Sequence, residues 1–299
     1  MAVIDKRQYL QPEMVARLNT MSLRARLVVE GFMVGYHRSP YHGFSVEFSE
    51  HRAYGPGDEI RHIDWKLYGK TDRYYVKRFE EETNLRSYIL LDTSRSMTFH
   101  SGTVSKLEYG SYLTAALSYL MLNQQDAVGL ATFDTSIRDF VPSRGTRSHL
   151  NVILSRLEGN EPGKDTEVGP VLHQMADRFK KRGLIILISD LLDDPAAIVQ
   201  GLKHFRHNKQ EVIVFHILDR QEMDFSFRTR TRFRDAETGK VITTEPWQIR
   251  KAYQEKVSLF CSKLRRECGN MNADYLALYT DDRLDLALRE YLGKRQKLQ

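Results

Sequence analysis

The stretch Ser87-Tyr88-Ile89-Leu90-Leu91-Asp92-Thr93-Ser94-Arg95-Ser96 decides the fold. Its first half is a short apolar run of the kind a strand shows when it is covered on both faces. Its second half places one carboxylate and two hydroxyls on the loop that leaves the strand. A hard cation such as Mg2+ takes oxygen ligands in an octahedron at about 2.0–2.1 Å and keeps several of its waters, so small side chains on one tight loop suit it. Further oxygens have to come from distant sequence. Thr166 stands in the turn-rich segment Gly163-Lys164-Asp165-Thr166-Glu167-Val168-Gly169, which opens a helix, and Asp190 ends the β-branched run Leu184-Ile185-Ile186-Leu187-Ile188-Ser189. In an open α/β sheet such loops converge outside the carboxyl ends of neighbouring strands, where these sheets bind ligands.

Working outward, the chain beyond Glu82 alternates strand and helix patterns, as expected of a parallel sheet with crossover helices. Strands are expected from Arg86, Ala127, Leu184, Val212 and Ala273, with an antiparallel edge partner from Ile137 to Val141. Asp194 reads as an N-cap followed by Pro195 at the first helical position. Ahead of the sheet, Met14 to Met33 carries helical spacing, and Tyr36 to Glu82 is rich in Gly, Pro and aromatics with a turn at Tyr54-Gly55-Pro56-Gly57-Asp58. The expected organisation is an N-terminal helical and β-rich region over 1–83, then a doubly wound, mostly parallel, Rossmann-type α/β domain over 84–299 with a hairpin insertion at 219–245.

With 299 residues, 41% of them hydrophobic and 28% charged, the chain can bury a sizeable core. The net charge of +6 is spread along the sequence without the dense basic block that would favour nucleic acid. No charged-then-apolar leader and no run of about 18 apolar residues appears, so a cytoplasmic location without a membrane span is expected. Cys261 and Cys268 fall two turns apart on one expected helix and read as reduced thiols. His51, His62, His173 and His216 lack metal-ligand spacing and read as ordinary hydrogen-bonded or surface residues. In the insertion, the alternation of Phe225, Phe227, Arg228, Arg230, Arg232 and Phe233 fits a solvated strand with one apolar face, expected to pack on the body or to meet a partner.

With Asp92, Ser94, Ser96, Thr166 and Asp190 in place, the chain resembles the von Willebrand factor type A domain and its metal-ion-dependent adhesion site, whose signature is Asp-x-Ser-x-Ser, then a Thr before a helix, then an Asp ending a later strand. Thr166-Glu167-Val168-Gly169-Pro170-Val171-Leu172 is similar to that family's Thr-Asp-Ile-Gly-x-x-Leu segment, with Glu for Asp. Upstream, Glu47 to Lys66, including Tyr54-Gly55-Pro56-Gly57-Asp58 and Ile63-Asp64-Trp65-Lys66, resembles the signature of the fifty-eighth "domain of unknown function" family, as do Asp235-Ala236-Glu237-Thr238-Gly239-Lys240 and Pro246-Trp247-Gln248-Ile249-Arg250. The resemblance implies a von Willebrand factor A-like sheet, a Mg2+ or Mn2+ at its edge, and work as an adaptor or cochaperone beside a MoxR-type AAA+ ATPase and a client protein. Many members carry membrane spans before this block, and this sequence shows none.

By the same resemblance, Ser94, Ser96 and Thr166 ligate the ion directly, and Asp92 and Asp190 act directly or through bound water. A shell with few charges leaves the ion electrophilic, ready for a partner carboxylate. Arg95, Glu167 and Asp193 near the ion, and Arg228, Arg230 and Arg232 on the insertion, are the candidate partner-binding residues. Competing uses are local: the Asp92 loop can cap backbone amides, and Asp193 and Asp194 can cap a helix. Arg52, Asp58, Arg61, Asp64 and Trp65 read as a structural network. A phosphoryl-transfer hydrolase using Asp92 is the enzymatic alternative, but it needs a second acid two residues on, where this chain has Ser94, and no Ser-His-Asp ordering or Gly-rich phosphate loop replaces it. Nucleic-acid binding through the Arg/Phe insertion and Lys294-Arg295-Gln296-Lys297 is the other alternative, weakened by interspersed acids. The expectation is a non-enzymatic interaction module.

Overall fold

The computed structural model describes residues 11–36, 51–53, 68–69, 74–77, 85–163, 167–227, 229–234 and 241–298. By compactness the chain divides into Met1–Arg38 with Leu85–Gln299, and Ser39–Asn84. In the smaller unit, β1 (His51–Ala53) pairs antiparallel with β2 (Tyr75–Lys77), and the rings of Tyr68 and Tyr74 stack with centroids 4.5 Å apart. Asp58, Arg61, Asp64 and Trp65 lie outside the described residues.

The larger unit begins with α1 (Pro12–Ala16) and α2 (Met21–Tyr36). Its sheet contains β3 (Arg86–Asp92), β4 (Ala127–Phe133), β5 (Ile137–Arg144), β6 (Leu184–Ser189), β7 (Glu211–Leu218) and β10 (Asp274–Tyr279). The spatial order is β10-β7-β6-β3-β4-β5, parallel throughout except for β5, which runs antiparallel to β4 at the edge. From β3 the chain builds outward to β4 and β5, then returns to add β6, β7 and β10 on the other side. The winding therefore reverses between β3 and β6, and the crevice at such a reversal is where open sheets receive ligands. Every residue of β6 is buried, which explains its unbroken apolar run.

Helices covering the sheet include α3 (Lys106–Asn123), α4 (His149–Glu158), α5 (Val168–Arg178), α6 (Pro195–His207) and α8 (Pro246–Asn270). α3 starts with a capping box, Ser105 Oγ accepting from Glu108 N–H at 3.2 Å while the Glu108 carboxylate accepts from Ser105 N–H at 2.8 Å. Its apolar residues run nearly all round, because α3 lies between the sheet and α2. Arg24 of α2 sits 4.8 Å from the Tyr112 ring centroid, and Met21 N–H donates to Glu158 at 2.9 Å. The N-terminal helices thus pack on the large unit, whereas the sequence pattern groups them with the 1–83 appendage. Asp194 and Pro195 open α6 as expected, Asp194 Oδ1 accepting from Ala196 N–H at 3.2 Å. α5 and α6 cross closely: a Cβ on Gly169 would stand 2.6 Å from Ala197 Cβ, so a larger side chain there would displace the helix that follows the candidate Thr166.

The insertion comprises α7 (Arg220–Asp224) and a hairpin of β8 (Thr231–Arg234) and β9 (Val241–Thr244). Phe225 ends α7 in the left-handed region at φ 46° and packs its ring against Tyr253 of α8 at 4.3 Å and Phe233 of β8 at 5.3 Å. Arg250 donates to the carbonyls of Phe225 and Phe227, both at 2.9 Å. The apolar face of the insertion therefore packs on the body, while Arg230 and Arg232 are exposed; Arg228 lies outside the described residues. The chain closes with α9 (Asp285–Leu298). Among the described residues no helix is long and apolar enough to cross a membrane.

Candidate functional site

Asp92 ends β3 fully buried, at the reversal of the sheet. The loop beyond it is stitched to β4 by Thr93, whose N–H and hydroxyl both donate to the Phe133 carbonyl, at 2.8 and 2.9 Å. Asp92 Oδ1 accepts from Ser94 N–H at 2.9 Å, which curls the chain into a short 3-10 turn over Arg95–Thr98 and brings the hydroxyls of Ser94 and Ser96 within 3.0 Å of each other. Asp92 Oδ2 accepts from Ser189 Oγ at 2.6 Å, so the ends of β3 and β6 are joined side chain to side chain. Ser189 Oγ also accepts from Leu191 N–H at 2.9 Å, holding Leu191 at φ 53°. A bulky residue in that region costs about 1–3 kcal/mol and survives where surrounding contacts dictate it.

Asp190 follows, with 1% exposure, and its Oδ2 accepts from Lys106 Nζ at 2.8 Å. Lys106 opens α3, is fully buried, and also reaches the Glu222 carboxylate at 3.0 Å. His216 of β7 braces Asp190 from behind. Burial lowers its pKa to about 4, so the ring is neutral at pH 7; one nitrogen lies 2.8 Å from the Asp190 carbonyl and the other 2.6 Å from the Tyr275 hydroxyl. Asp92 is pushed the other way, up to about 7, first by burial and then by the charge of Asp190. Burial also raises Glu222, and it pulls Lys106 down, but the charges of Asp190 and Glu222 more than reverse that and leave Lys106 raised.

The structure brings Asp92, Ser94, Ser96 and Asp190 to one edge, while Thr166 lies outside the described residues. On one side of Thr166, Gly163 N–H donates to the Thr93 carbonyl at 2.6 Å; on the other, Gly169 N–H donates to Asp193 Oδ2 at 3.1 Å. Asp193 serves the start of α5 in this way and its own turn through Asp194 N–H at 2.7 Å. Arg95 and Glu167 are exposed. Ser189, Lys106 and Glu222 are the partners that sequence reasoning misses. Lys106 stands at the first position of its helix, where a cation opposes the helix dipole by about 0.3–1 kcal/mol, and here Asp190 and Glu222 offset that cost.

Among the described residues no three His, Cys, Asp or Glu side chains gather as a metal site, so any ion here depends on hydroxyl ligands. The Ser94 and Ser96 oxygens fit that role. Their 3.0 Å separation matches the edge of an octahedron whose ligands stand about 2.1 Å from its centre. Asp92 fits beside them. Asp190 fits as an outer charge, one oxygen being taken by Lys106.

A doubly wound, mostly parallel sheet with one antiparallel edge strand is a von Willebrand factor A-like fold. Residues 50–259 match the family described as "Protein of unknown function DUF58", and the chain belongs to that family. Uncharacterized protein Rv1480 of Mycobacterium tuberculosis and uncharacterized protein Mb1516 of Mycobacterium bovis are each 23% identical to it over 275 residues, covering 90% of this chain and 86% of the relative. The fold is shared with solved structures. An aerotolerance-related membrane protein from Bacteroides fragilis superposes with a TM-score of 0.51 at 19% identity, covering 71% of this chain and 99% of that one. The conserved hypothetical protein BatB from Bacteroides thetaiotaomicron superposes with a TM-score of 0.50 at 18% identity and the same coverage.

Proposed function

We propose that this domain is a metal-ion-dependent protein-interaction module, an adaptor or cochaperone for a MoxR-type AAA+ ATPase that grips a partner carboxylate at the sheet edge. The observation that carries the reading is the pair of hydroxyls 3.0 Å apart beside a buried carboxylate at the reversal of the sheet. A bound Mg2+ or Mn2+ supplies a Lewis-acidic centre able to bridge two acidic groups that otherwise repel. Ser94 and Ser96 supply neutral oxygens, Thr166 is the third candidate hydroxyl, Asp92 supplies the charge beside them, and Asp190 adds an outer one. The ATPase partnership rests on the family resemblance in the sequence.

The same geometry favours a non-enzymatic role. Asp92 is fully buried, and two residues on, where a phosphoryl-transferring Asp needs a second acid, the chain has Ser94. The one hydroxyl paired with a carboxylate among these residues, Ser189 on Asp92, is fully buried and also holds Leu191 N–H, and His216 is committed to Asp190 and Tyr275, which counts against an accessible nucleophile here.

The test is retention of a purified MoxR-type ATPase by the immobilised protein, in Mg2+ and in chelator, with Asp92→Ala alongside. Retention in Mg2+ alone, lost in the folded variant, is the expected result. Retention indifferent to the cation overturns the bridge.

A further inference from the structure

The buried charges at the reversal of the sheet do not balance. Asp92 and Asp190 are buried, the Glu222 side chain is only 24% exposed, and the cation hydrogen-bonded among them is Lys106. Counted as ionised, these three carboxylates against one ammonium carry a formal charge of −2, and the fully buried Asp219, near enough to act on Glu222, adds a further acid beside them. Isolated charge away from water is costly, and proteins that keep it pair it or bind a counter-ion. Lys106 is itself locked in place, 2.8 Å from Asp190, 3.0 Å from Glu222 and 5.8 Å from the Phe99 ring centroid.

We propose that Lys106 is a built-in counter-ion of the cation site, which holds Asp190 out of direct ligation, leaves a deficit that one divalent cation completes, and thereby sets how tightly the site binds. This rests on the metal-binding reading above. Lys106 occupies an Asp190 oxygen that an incoming ion would otherwise use, and its own charge repels that ion. Glu222 offsets part of the repulsion. Because Glu222 lies on α7, the root of the insertion, withdrawing it leaves Lys106 less compensated and weakens the site. Ion occupancy and the position of the insertion are then linked, each changing the other by the same free energy.

The prediction is a ranking. Mn2+ affinity of the full chain is measured by calorimetry for the wild type, Lys106→Met and Glu222→Gln, with circular dichroism to follow folding. Lys106→Met is expected to bind at least about tenfold tighter than wild type, and Glu222→Gln about threefold or more weaker, as the local charge moves from −3 through −2 to −1. Equal affinities, or weaker binding by Lys106→Met, overturn the inference while the metal-binding reading stands. Binding by Lys106→Met but not by wild type would mean that Lys106 fills the site by itself, and overturns the deficit and the metal bridge together. Binding by neither overturns both. Should Lys106→Met fail to fold even in excess Mn2+, Glu222→Gln decides: an affinity unchanged from wild type sinks the proposal.

Discussion

At the amino-terminal edge of the sheet, Glu211 opens β7 and Asp274 opens β10, and Lys294 of α9 reaches them at 3.0 and 3.1 Å while Arg206 of α6 holds Glu211 at 2.7 Å. Two acids face two bases. Burial pushes Glu211 up, but Lys294 and Arg206 outweigh it and hold the carboxyl below its usual range. At the opposite edge of the same sheet, Asp190 and Glu222 share Lys106, and Asp92, bonded to Ser189, is pushed up to about 7. One edge is neutralised for stability. The other keeps charge in reserve at the expense of stability, as functional sites commonly do.

The largest expected effect comes from removing Lys106, the base hydrogen-bonded to Asp190 and Glu222. In chelator, Lys106→Met should lower the unfolding free energy by about 3–5 kcal/mol in urea titrations, because Asp190 is left buried and unpaired. The equivalent change at the amino edge, Lys294→Met, should cost less, since Arg206 still serves Glu211. Similar losses at both edges would break the contrast.

Removing an acid should have opposite signs at the two edges. Asp92 has its folded-state pKa raised from 3.8 to about 7, so its ionisation opposes folding by an amount that grows between those values and is complete above them. Asp92→Asn is therefore expected to stabilise the cation-free protein by about 1–3 kcal/mol at pH 8, with the gain fading toward pH 4. Glu211 is the reverse case. Its stabilising contribution is present above the ordinary value of 4.5 and is lost as pH falls through the lowered folded value. Glu211→Gln should cost about 1 kcal/mol at pH 7, and the gap to wild type should close on acidification. The smallest effect belongs to the exposed arginines: Arg230→Ala with Arg232→Ala should move stability by less than about 0.5 kcal/mol, leaving partner retention as the readout that registers them.

Much of this architecture was legible because it depends on local pattern. The apolar run of β6, the Asp194-Pro195 start of α6, the antiparallel edge strand β5 and the hairpin β8–β9 all declare themselves through periodicity, capping or turn chemistry. The order Asp92, Ser94, Ser96 and Asp190 was also legible, since each stands at a strand end that a parallel sheet gathers to one edge. What stayed hidden depends on tertiary contact. Ser189 looks like the last residue of a strand until its hydroxyl is seen on Asp92, and Lys106 looks like a solvated helix start until α3 is packed against the sheet. Glu222 sits 116 residues from Lys106, and no spacing rule joins them. The N-terminal helices likewise reveal their partner only through Arg24 on Tyr112 and Met21 on Glu158.

The most direct test of the charge deficit is electron paramagnetic resonance of Mn2+ titrated into cation-free protein. Loss of the free-ion signal at one equivalent, abolished by Asp92→Ala and by the double change Ser94→Ala with Ser96→Ala, is the predicted result. A free-ion signal that the wild-type protein leaves unchanged would contradict the account.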